Sequence, residues 1–157
     1  MRSTTLPPAL VGDWLLDRRI LDRRSGEWYA VSGTTRLAAA DPGRIVWTER
    51  GVMTWASGTT PVERELSVAE DDRGDWAVSF ADGRRFFAWE PDAPIAHACG
   101  SDAYRARMGF VRSPAGEVVL WAVRWDAEGP AKDYRSVSIL RRAAGPQDAT
   151  RAAMSRR

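Results

Sequence analysis

The most constraining feature of this sequence is a succession of short segments in which apolar and polar residues alternate, each ended by a turn signal. Ser25-Gly26, Asp41-Pro42-Gly43 and Asp82-Gly83 are typical of such turns, and Asp-Gly is a strong two-residue hairpin signal. Alternation with a period of two indicates strands that are buried on one face. Ten strands are predicted, at residues 13–21, 28–39, 44–56, 61–69, 75–81, 84–90, 94–99, 102–112, 117–126 and 132–142.

Ten short antiparallel strands leave two exposed sheet edges unless the sheet closes on itself. We therefore predict an all-β fold, a single antiparallel up-and-down β-barrel of about ten strands that spans residues 10–142. Pro7 and Pro8 suit the first positions of a helix and predict one short helical turn before the barrel. The chain of 157 residues has the length of one domain, so we expect a single domain, 1–157, in which residues 143–157 form a flexible or helical tail.

The strand faces that are predicted to point inward are apolar, but several carry one charged residue. Arg18 shares a face with Trp14, Glu49 shares one with Trp47, and Arg64 lies among Val and Leu. Because an unpaired buried charge is costly, these groups must pair, hydrate or bind something. An apolar cavity with a few convergent polar groups is typical of a ligand pocket. In the alternative, the strand registers differ and the arginines lie outside.

Three residues are candidates for acid–base chemistry: His97, Glu49 and Tyr104. His97 is the only histidine of the chain, and histidine is the side chain whose unperturbed pKa lies nearest neutrality. Asp102 follows the same turn and could orient the His97 ring; the alternative is a structural histidine that bridges the turn. We expect Cys99 to be a small buried thiol, because alternate residues of a strand lie roughly 6.5–7 Å apart, too far for a direct Cys–His hydrogen bond.

Several function classes are disfavoured by composition and motifs. The net charge is only +2 and the charges are interspersed, so we expect no nucleic-acid partner. The start of the chain lacks the apolar core of a signal peptide, and no apolar run approaches membrane-spanning length. We therefore expect a cytoplasmic protein without a membrane partner. We further expect a monomer or a homodimer. One His and one Cys do not make a zinc set, and we find no phosphate-binding loop; we expect no metal and no cofactor.

Gly12-Asp13-Trp14 near the start of the first strand, with Arg141-Arg142 at the end of the last, resembles the signature of the calycins, the lipocalins and fatty-acid-binding proteins. In those barrels the tryptophan lies at the floor and packs under an arginine from the final strand. Such a contact is a cation–π interaction. The resemblance implies a calycin-like barrel with Trp14 at its floor.

The chain also resembles an uncharacterised bacterial family, common in actinobacteria, that is known only as a domain of unknown function. The resemblance covers residues 8–142 and implies no activity. The sequence departs from the family pattern at Phe87, where a polar residue is expected. The matching motifs are Leu10-x-Gly12-x-Trp14-x-x-x-Arg18, Glu49-x-Gly51, Phe80-Ala81-Asp82-Gly83-Arg84, His97-x-Cys99-Gly100-x-Asp102-x-Tyr104 and Gly129-Pro130-x-Lys132-Asp133-Tyr134.

Two functions remain for a barrel that binds a small hydrophobic metabolite. In the first, it is a cofactor-independent enzyme of specialised metabolism, a cyclase, isomerase or lyase, in which His97, Glu49 and Tyr104 act on the proton. The sequence favours this first function, because these three residues exceed what a carboxylate clamp requires. In the second, it is a non-catalytic carrier or sensor of a carboxylate-bearing hydrophobic ligand; a single-His haem-binding barrel is a further alternative. Lys132 either reaches the barrel mouth or pairs on the surface. The predicted substrate-binding residues are Arg18, Arg64, Trp47, Trp55, Trp76, Trp121 and Tyr134.

Overall fold

The computed structural model describes residues 4–144 and consists almost entirely of antiparallel strands. A single 3-10 turn, Pro7–Leu10, precedes them, so the predicted all-β fold and the N-terminal turn are confirmed. Residues 145–157, which contain most of the predicted tail, lie outside the described residues. The strands are β1 (Gly12–Asp22), β2 (Trp28–Asp41), β3 (Arg44–Trp55), β4 (Gly58–Glu70), β5 (Trp76–Phe80), β6 (Arg85–Ala88), β7 (Ile95–Cys99), β8 (Asp102–Arg112), β9 (Val118–Glu128) and β10 (Asp133–Arg142).

Nine of the ten strand pairings that would close the barrel are made by hydrogen bonds. The order in the sheet is β6-β5-β4-β3-β2-β1-β10-β9-β8-β7, so consecutive strands are neighbours and the first strand also pairs with the last. The seam lies between β6 and β7, which are adjacent without a ladder. Here the Phe86 and His97 rings meet edge to face, 5.4 Å between centroids. The fold is thus a nearly closed up-and-down barrel.

Most strand bounds agree with the alternation, but β4 starts at Gly58 rather than at residue 61. The sequence-based prediction placed the turn at Ser57-Gly58 and began the strand at residue 61. In the structure Pro61 pairs with Val52 of β3, while β5 pairs only with Leu66–Glu70. Pro61 therefore lies where the other edge of β4 has no partner strand, and its missing N–H breaks no ladder there.

The barrel floor is built around Trp14, which is fully buried. Its indole Nε1 donates to the carbonyl of Leu10 at 2.8 Å, which joins the 3-10 turn to β1. The guanidinium of Arg142, on the paired position of β10, lies 4.2 Å from the ring centroid. Arg142 also donates to the carbonyls of Val11 and Ala9. The cation over indole that the calycin resemblance implied is present, made by the second of the two terminal arginines.

Candidate functional site

Above this floor the barrel encloses a cavity of about 370 Å³. Its wall is mostly aromatic and aliphatic, with a charged cluster and three tyrosines. It is lined by Arg18, Ile20, Tyr29, Trp47, Glu49, Met53, Arg64, Phe86, Tyr104, Val123, Trp125, Tyr134, Ser136, Ser138 and Leu140. An apolar cavity with a few polar groups is the usual form of a small-molecule site.

The charged cluster, which we call the arginine–glutamate cluster, consists of Arg18, Glu49 and Arg64. Arg18 Nη2 donates to the two carboxylate oxygens of Glu49 at 2.9 and 3.2 Å. Arg64 Nη2 lies 2.9 Å from Glu49 Oε1, and the Thr35 hydroxyl donates to Oε2 at 3.2 Å. Arg18 Nε also donates to Ser138 Oγ at 2.7 Å. Strands β1 to β4, together with β10, therefore fix one carboxylate and two guanidinium groups.

Strand parity and register explain why these side chains meet. Alternate residues of a strand share one face, so Arg18 points inward with Trp14, and Glu49 points inward with Trp47. Glu49 is paired directly with Arg64 across β3 and β4, and with Thr35 across β2 and β3. Adjacent strands thus place complementary groups at one height of the barrel.

The surrounding cations hold Glu49 as an anion. Glu49 is 4% exposed, and burial by itself raises the pKa of a carboxyl group. The charges of Arg64 and Arg18, with hydrogen bonds from Arg18 and Thr35, outweigh burial, so the pKa of Glu49 lies below its ordinary value. Two cations and one anion leave the cluster with one net positive charge beside an apolar cavity.

Two buried donors beside the cluster are unpaired within residues 4–144. They are the indole Nε1 of Trp47 and the guanidinium Nε of Arg64. The two side chains are in contact, with Arg64 Cζ 5.7 Å from the Trp47 ring centroid. Buried donors of this kind are uncommon and costly. This end of the cavity therefore has donor capacity beyond what Glu49 uses.

A second polar group, which we call the mouth group, consists of Tyr104, Lys132 and Tyr134. Lys132 Nζ donates to the Tyr104 hydroxyl at 2.8 Å and lies 3.6 Å from the Asp102 carboxylate. This hydrogen bond raises the pKa of Lys132. Burial, and then the nearby Tyr104, raise the pKa of Tyr134, which keeps its hydroxyl neutral at ordinary pH. The two alternatives predicted for Lys132 therefore both hold. Its ammonium group reaches Tyr104 at the mouth of the barrel, and it also lies beside a carboxylate at the surface.

The structure separates the three candidate acid–base residues. Glu49 and Tyr104 line the cavity, whereas His97 does not; its ring packs on Phe86 and lies 5.9 Å from that of Tyr104. Of the two alternatives for His97, orientation of its ring by Asp102 is not observed. In the β7–β8 hairpin His97 pairs with Tyr104 and Asp102 pairs with Cys99, so the Asp102 carboxylate turns to Lys132 instead.

Cys99 corrects another expectation. The thiol was predicted to be small and buried, but Cys99 is exposed. It is the last residue of β7, next to the Gly100 turn, where the strand is exposed although it still pairs with β8. The alternation of apolar and polar residues predicts the face on which each side chain lies. It does not predict where along the strand the buried core ends.

The predicted substrate-binding residues fall into two groups. Arg18, Arg64, Trp47 and Tyr134 line the cavity. Trp55, Trp76 and Trp121 do not: Trp121 packs between Trp14 and Trp47 at the floor, Trp55 packs on Tyr29, and Trp76 pairs with Glu70 at the far end of β5.

Sequence reasoning passed over four lining residues that carry aromatic or flexible side chains: Phe86, Trp125, Tyr29 and Met53. Phe86 stacks on Trp125, with 5.0 Å between centroids. Trp125 and Met53 already stood on inward faces, which was the available signal. The adjacent phenylalanines of β6 gave no parity, since either could point inward. Phe87, where the family pattern expects a polar residue, is buried against Phe86 and Trp125.

No group of three or more His, Cys, Asp or Glu side chains in residues 4–144 is placed to hold a metal ion. The same residues contain no helix with the length and hydrophobicity of a membrane span.

Comparison with solved structures identifies similar barrels. The S-type phycobiliprotein lyase CPES from Guillardia theta aligns with a TM-score of 0.65 and 12% identity, over 88% of this chain and 91% of that one. A de novo designed fluorescence-activating β-barrel aligns with a TM-score of 0.44 and 18% identity, over 88% and 100%. The redesigned barrel mFAP0, bound to DFHBI, aligns with a TM-score of 0.46 and 12% identity, over 85% and 99%. At such identities the similarity to the lyase concerns the fold.

Comparison with curated protein sequences found no match. A family model, described as a family of unknown function (DUF6314), matches residues 10–142. These bounds coincide with the barrel predicted from the sequence, from the last residue of the 3-10 turn to the arginine that covers the floor tryptophan. The chain therefore belongs to the DUF6314 family.

Proposed function

We propose that this protein binds a mostly apolar small molecule with one anionic group inside the barrel, as a non-catalytic carrier or sensor. The observation that carries the proposal is the arginine–glutamate cluster, which leaves one net positive charge beside an apolar cavity. Each guanidinium has five N–H donors, and the contacts of Arg18 and Arg64 with Glu49 and Ser138 leave several of them free. A carboxylate placed there would receive charge-assisted hydrogen bonds in a site of low dielectric.

The state of Glu49 favours binding over acid–base chemistry at this position. A general base needs a pKa near the operating pH and a free oxygen within reach of the proton it removes. The pKa of Glu49 is lowered, and both of its oxygens already accept hydrogen bonds. A carrier needs only fixed charges, and this cluster supplies them.

The test compares lauric acid with lauryl alcohol, which has the same apolar chain and no charge. Trp47 and Trp125 line the cavity, so tryptophan fluorescence reports binding, and calorimetry gives the affinity. We expect lauric acid to bind at least about tenfold more tightly, as a hydrogen bond to a charged group contributes roughly 1.5–3 kcal/mol. Arg64→Met removes the net charge of the cluster and should reduce this preference.

The matched control is Arg50→Met. Arg50 stands on the outer face of β3 and pairs with Glu63 at 3.4 Å, with both side chains largely exposed. This variant loses the same charge outside the cavity and should retain the preference for the acid. Equal affinity of acid and alcohol for the unmodified protein, or an unchanged preference in Arg64→Met, would refute the proposed anion site.

The second candidate is an enzyme that catalyses an acid–base cyclisation, isomerisation or elimination. It is favoured by the Tyr104 hydroxyl, which lines the cavity and accepts a hydrogen bond from the Lys132 ammonium, an arrangement suited to donating a proton. Native mass spectrometry of protein purified from its host would identify a retained molecule. Incubation with that molecule should return a compound of altered structure if the protein is an enzyme, and the unchanged molecule if it is a carrier.

A further inference from the structure

We propose that the ligand carries a second, uncharged oxygen, a hydroxyl or a carbonyl, at the end opposite its anionic group, and that the mouth group binds it. This inference rests on the proposed function, because it takes the anionic end to lie at the arginine–glutamate cluster. It defines the ligand as a two-ended molecule with an apolar middle.

The two polar groups lie at different heights of the same wall. Ser138, which binds Arg18, and Tyr134 are both on β10, four residues apart and on the same face. At the rise of a β-strand they are roughly 13 Å apart along the strand. Tyr104 is level with Tyr134, since both pair with Ala127 of β9.

The wall between the two polar groups is mostly apolar, although it includes the Ser136 side chain, which lies between Tyr134 and Ser138 on β10. Ile20 of β1 lies one inward position above Arg18, and Trp125 lies level with Ile20 two strands away, where its ring stacks on Phe86. A ligand that satisfied both groups would therefore have a hydrophobic segment between two polar ends. A ligand with a single polar end would leave its apolar terminus against two tyrosine hydroxyls and an ammonium group, which is unfavourable.

The charges at the mouth favour an uncharged oxygen over a second carboxylate. The Lys132 ammonium is balanced by Asp102 at 3.6 Å, and the outer pocket beside Lys132 is lined by one further cation, Arg24, and by two carboxylates, Asp22 and Asp133. Because the Tyr104 oxygen accepts from Lys132, its own proton is free to be donated to a ligand. The mouth thus offers donors without a net positive charge.

The test uses three acids of equal length: lauric acid, ω-hydroxylauric acid and dodecanedioic acid. We expect ω-hydroxylauric acid to bind about five- to tenfold more tightly than lauric acid, as expected for one or two hydrogen bonds. Dodecanedioic acid should bind no more tightly than lauric acid. In Tyr104→Phe and Lys132→Met the affinity ratio of ω-hydroxylauric to lauric acid should fall toward one.

The control is Arg105→Met. Arg105 neighbours Tyr104 on β8 but points outward, where its side chain is 71% exposed and lies 3.9 Å from Glu128. The affinity ratio of this variant should equal that of the unmodified protein. Thermal unfolding of each variant verifies that the barrel is retained, and Lys132→Met, at an exposed position, keeps the test valid if Tyr104→Phe is unstable.

The outcomes separate the two proposals. If lauric acid binds more tightly than lauryl alcohol but ω-hydroxylauric acid gives no gain, or keeps its gain in both mouth variants, the second polar end is refuted and the anion site stands. If dodecanedioic acid binds most tightly, the mouth accepts a charge and the inference is equally wrong. If lauric acid shows no advantage over the alcohol, the proposed function fails first, and this inference with it.

Discussion

Replacing Glu49 by Gln should lower the stability of the barrel while raising its affinity for an anion. The substitution keeps the shape of the side chain but leaves Arg18 and Arg64 without a counter-ion. Removing one partner of a buried ion pair costs about 3–5 kcal/mol. The side chains of Arg18 and Arg64 remain 17% and 38% exposed, so they can hydrate in part, and we expect a loss of about 2–3 kcal/mol.

The stability difference should depend on pH in one direction only. The pKa of Glu49 is lowered in the folded protein, whereas an unfolded glutamate has a pKa of about 4.3. The stabilisation from its charge is therefore complete above about pH 5 and is lost as the pH falls through the folded pKa. In acid the protonated Glu49 resembles Gln, and the difference between the two proteins should shrink.

Urea denaturation at neutral and acid pH measures both effects. With a slope of about 2–3 kcal/mol per molar urea, the expected loss lowers the midpoint by about 1 M at neutral pH. The control is Glu63→Gln, an exposed partner of Arg50 that is 69% exposed, where we expect a change within about 0.5 kcal/mol. Lauric acid should bind Glu49→Gln several-fold more tightly, because the cluster then carries two positive charges.

Two results would refute this reasoning. One is a Glu49→Gln variant as stable as Glu63→Gln, which would mean that the cluster is not held together by the carboxylate. The other is a stability difference that is the same at neutral and acid pH, which would mean that the charge of Glu49 is not its cause.

Three further predictions concern the barrel that carries the site. Arg142→Met should destabilise the protein by about 2–3 kcal/mol in urea, since it removes the cation over Trp14 and hydrogen bonds to three main-chain carbonyls. The neighbouring exposed Arg141→Met should have little effect, and equal losses would contradict this role of Arg142. The pKa of Asp126 is lowered to about 2 despite partial burial, by hydrogen bonds from Arg135, Arg23 and Arg124, so NMR titration should find its carboxylate ionised down to that pH range. Asp126→Asn should lower the free energy of unfolding by about 1 kcal/mol above about pH 5, and by progressively less in stronger acid. Gly33→Ala should lower the free energy of unfolding by more than about 2 kcal/mol, because its Cβ would meet the carbonyl of Arg50 on the neighbouring strand. Gly109→Ala, where a Cβ meets nothing within 4 Å, should change it by no more than about 0.5 kcal/mol. Similar losses at both glycines would refute the close approach of β2 and β3.

Much of the site was predictable because a strand has only two faces. Arg18, Glu49 and Arg64 stood among apolar neighbours at inward positions, and the cost of an unpaired buried charge required that they meet a partner. The alternation did not predict which of these charged residues would pair with each other. Glu49 meets Arg64 because β3 and β4 are in a register that sets them opposite, and it meets Arg18 through the barrel interior.

The tryptophans show a second feature that the alternation did not predict, their height along the barrel. Trp47, Trp76 and Trp121 all point inward, yet only Trp47 lines the cavity. Face is a local property of the strand, but height along the barrel depends on how each strand is staggered against its neighbours. Trp121 lies at the floor, where it packs against Trp14 and Trp47 without lining the cavity.

By itself, the sequence determined the number of strands and most of their inward faces, because these depend on alternation and turn residues, while its resemblance to the calycins implied the floor built from Trp14 and a terminal arginine. Only the tertiary structure decided that the seam lies between β6 and β7, that His97 packs at this seam instead of lining the cavity, and that Lys132 joins Tyr104 at the mouth. These features depend on strand stagger and barrel closure, which join residues far apart in the chain, and no local pattern encodes such distances.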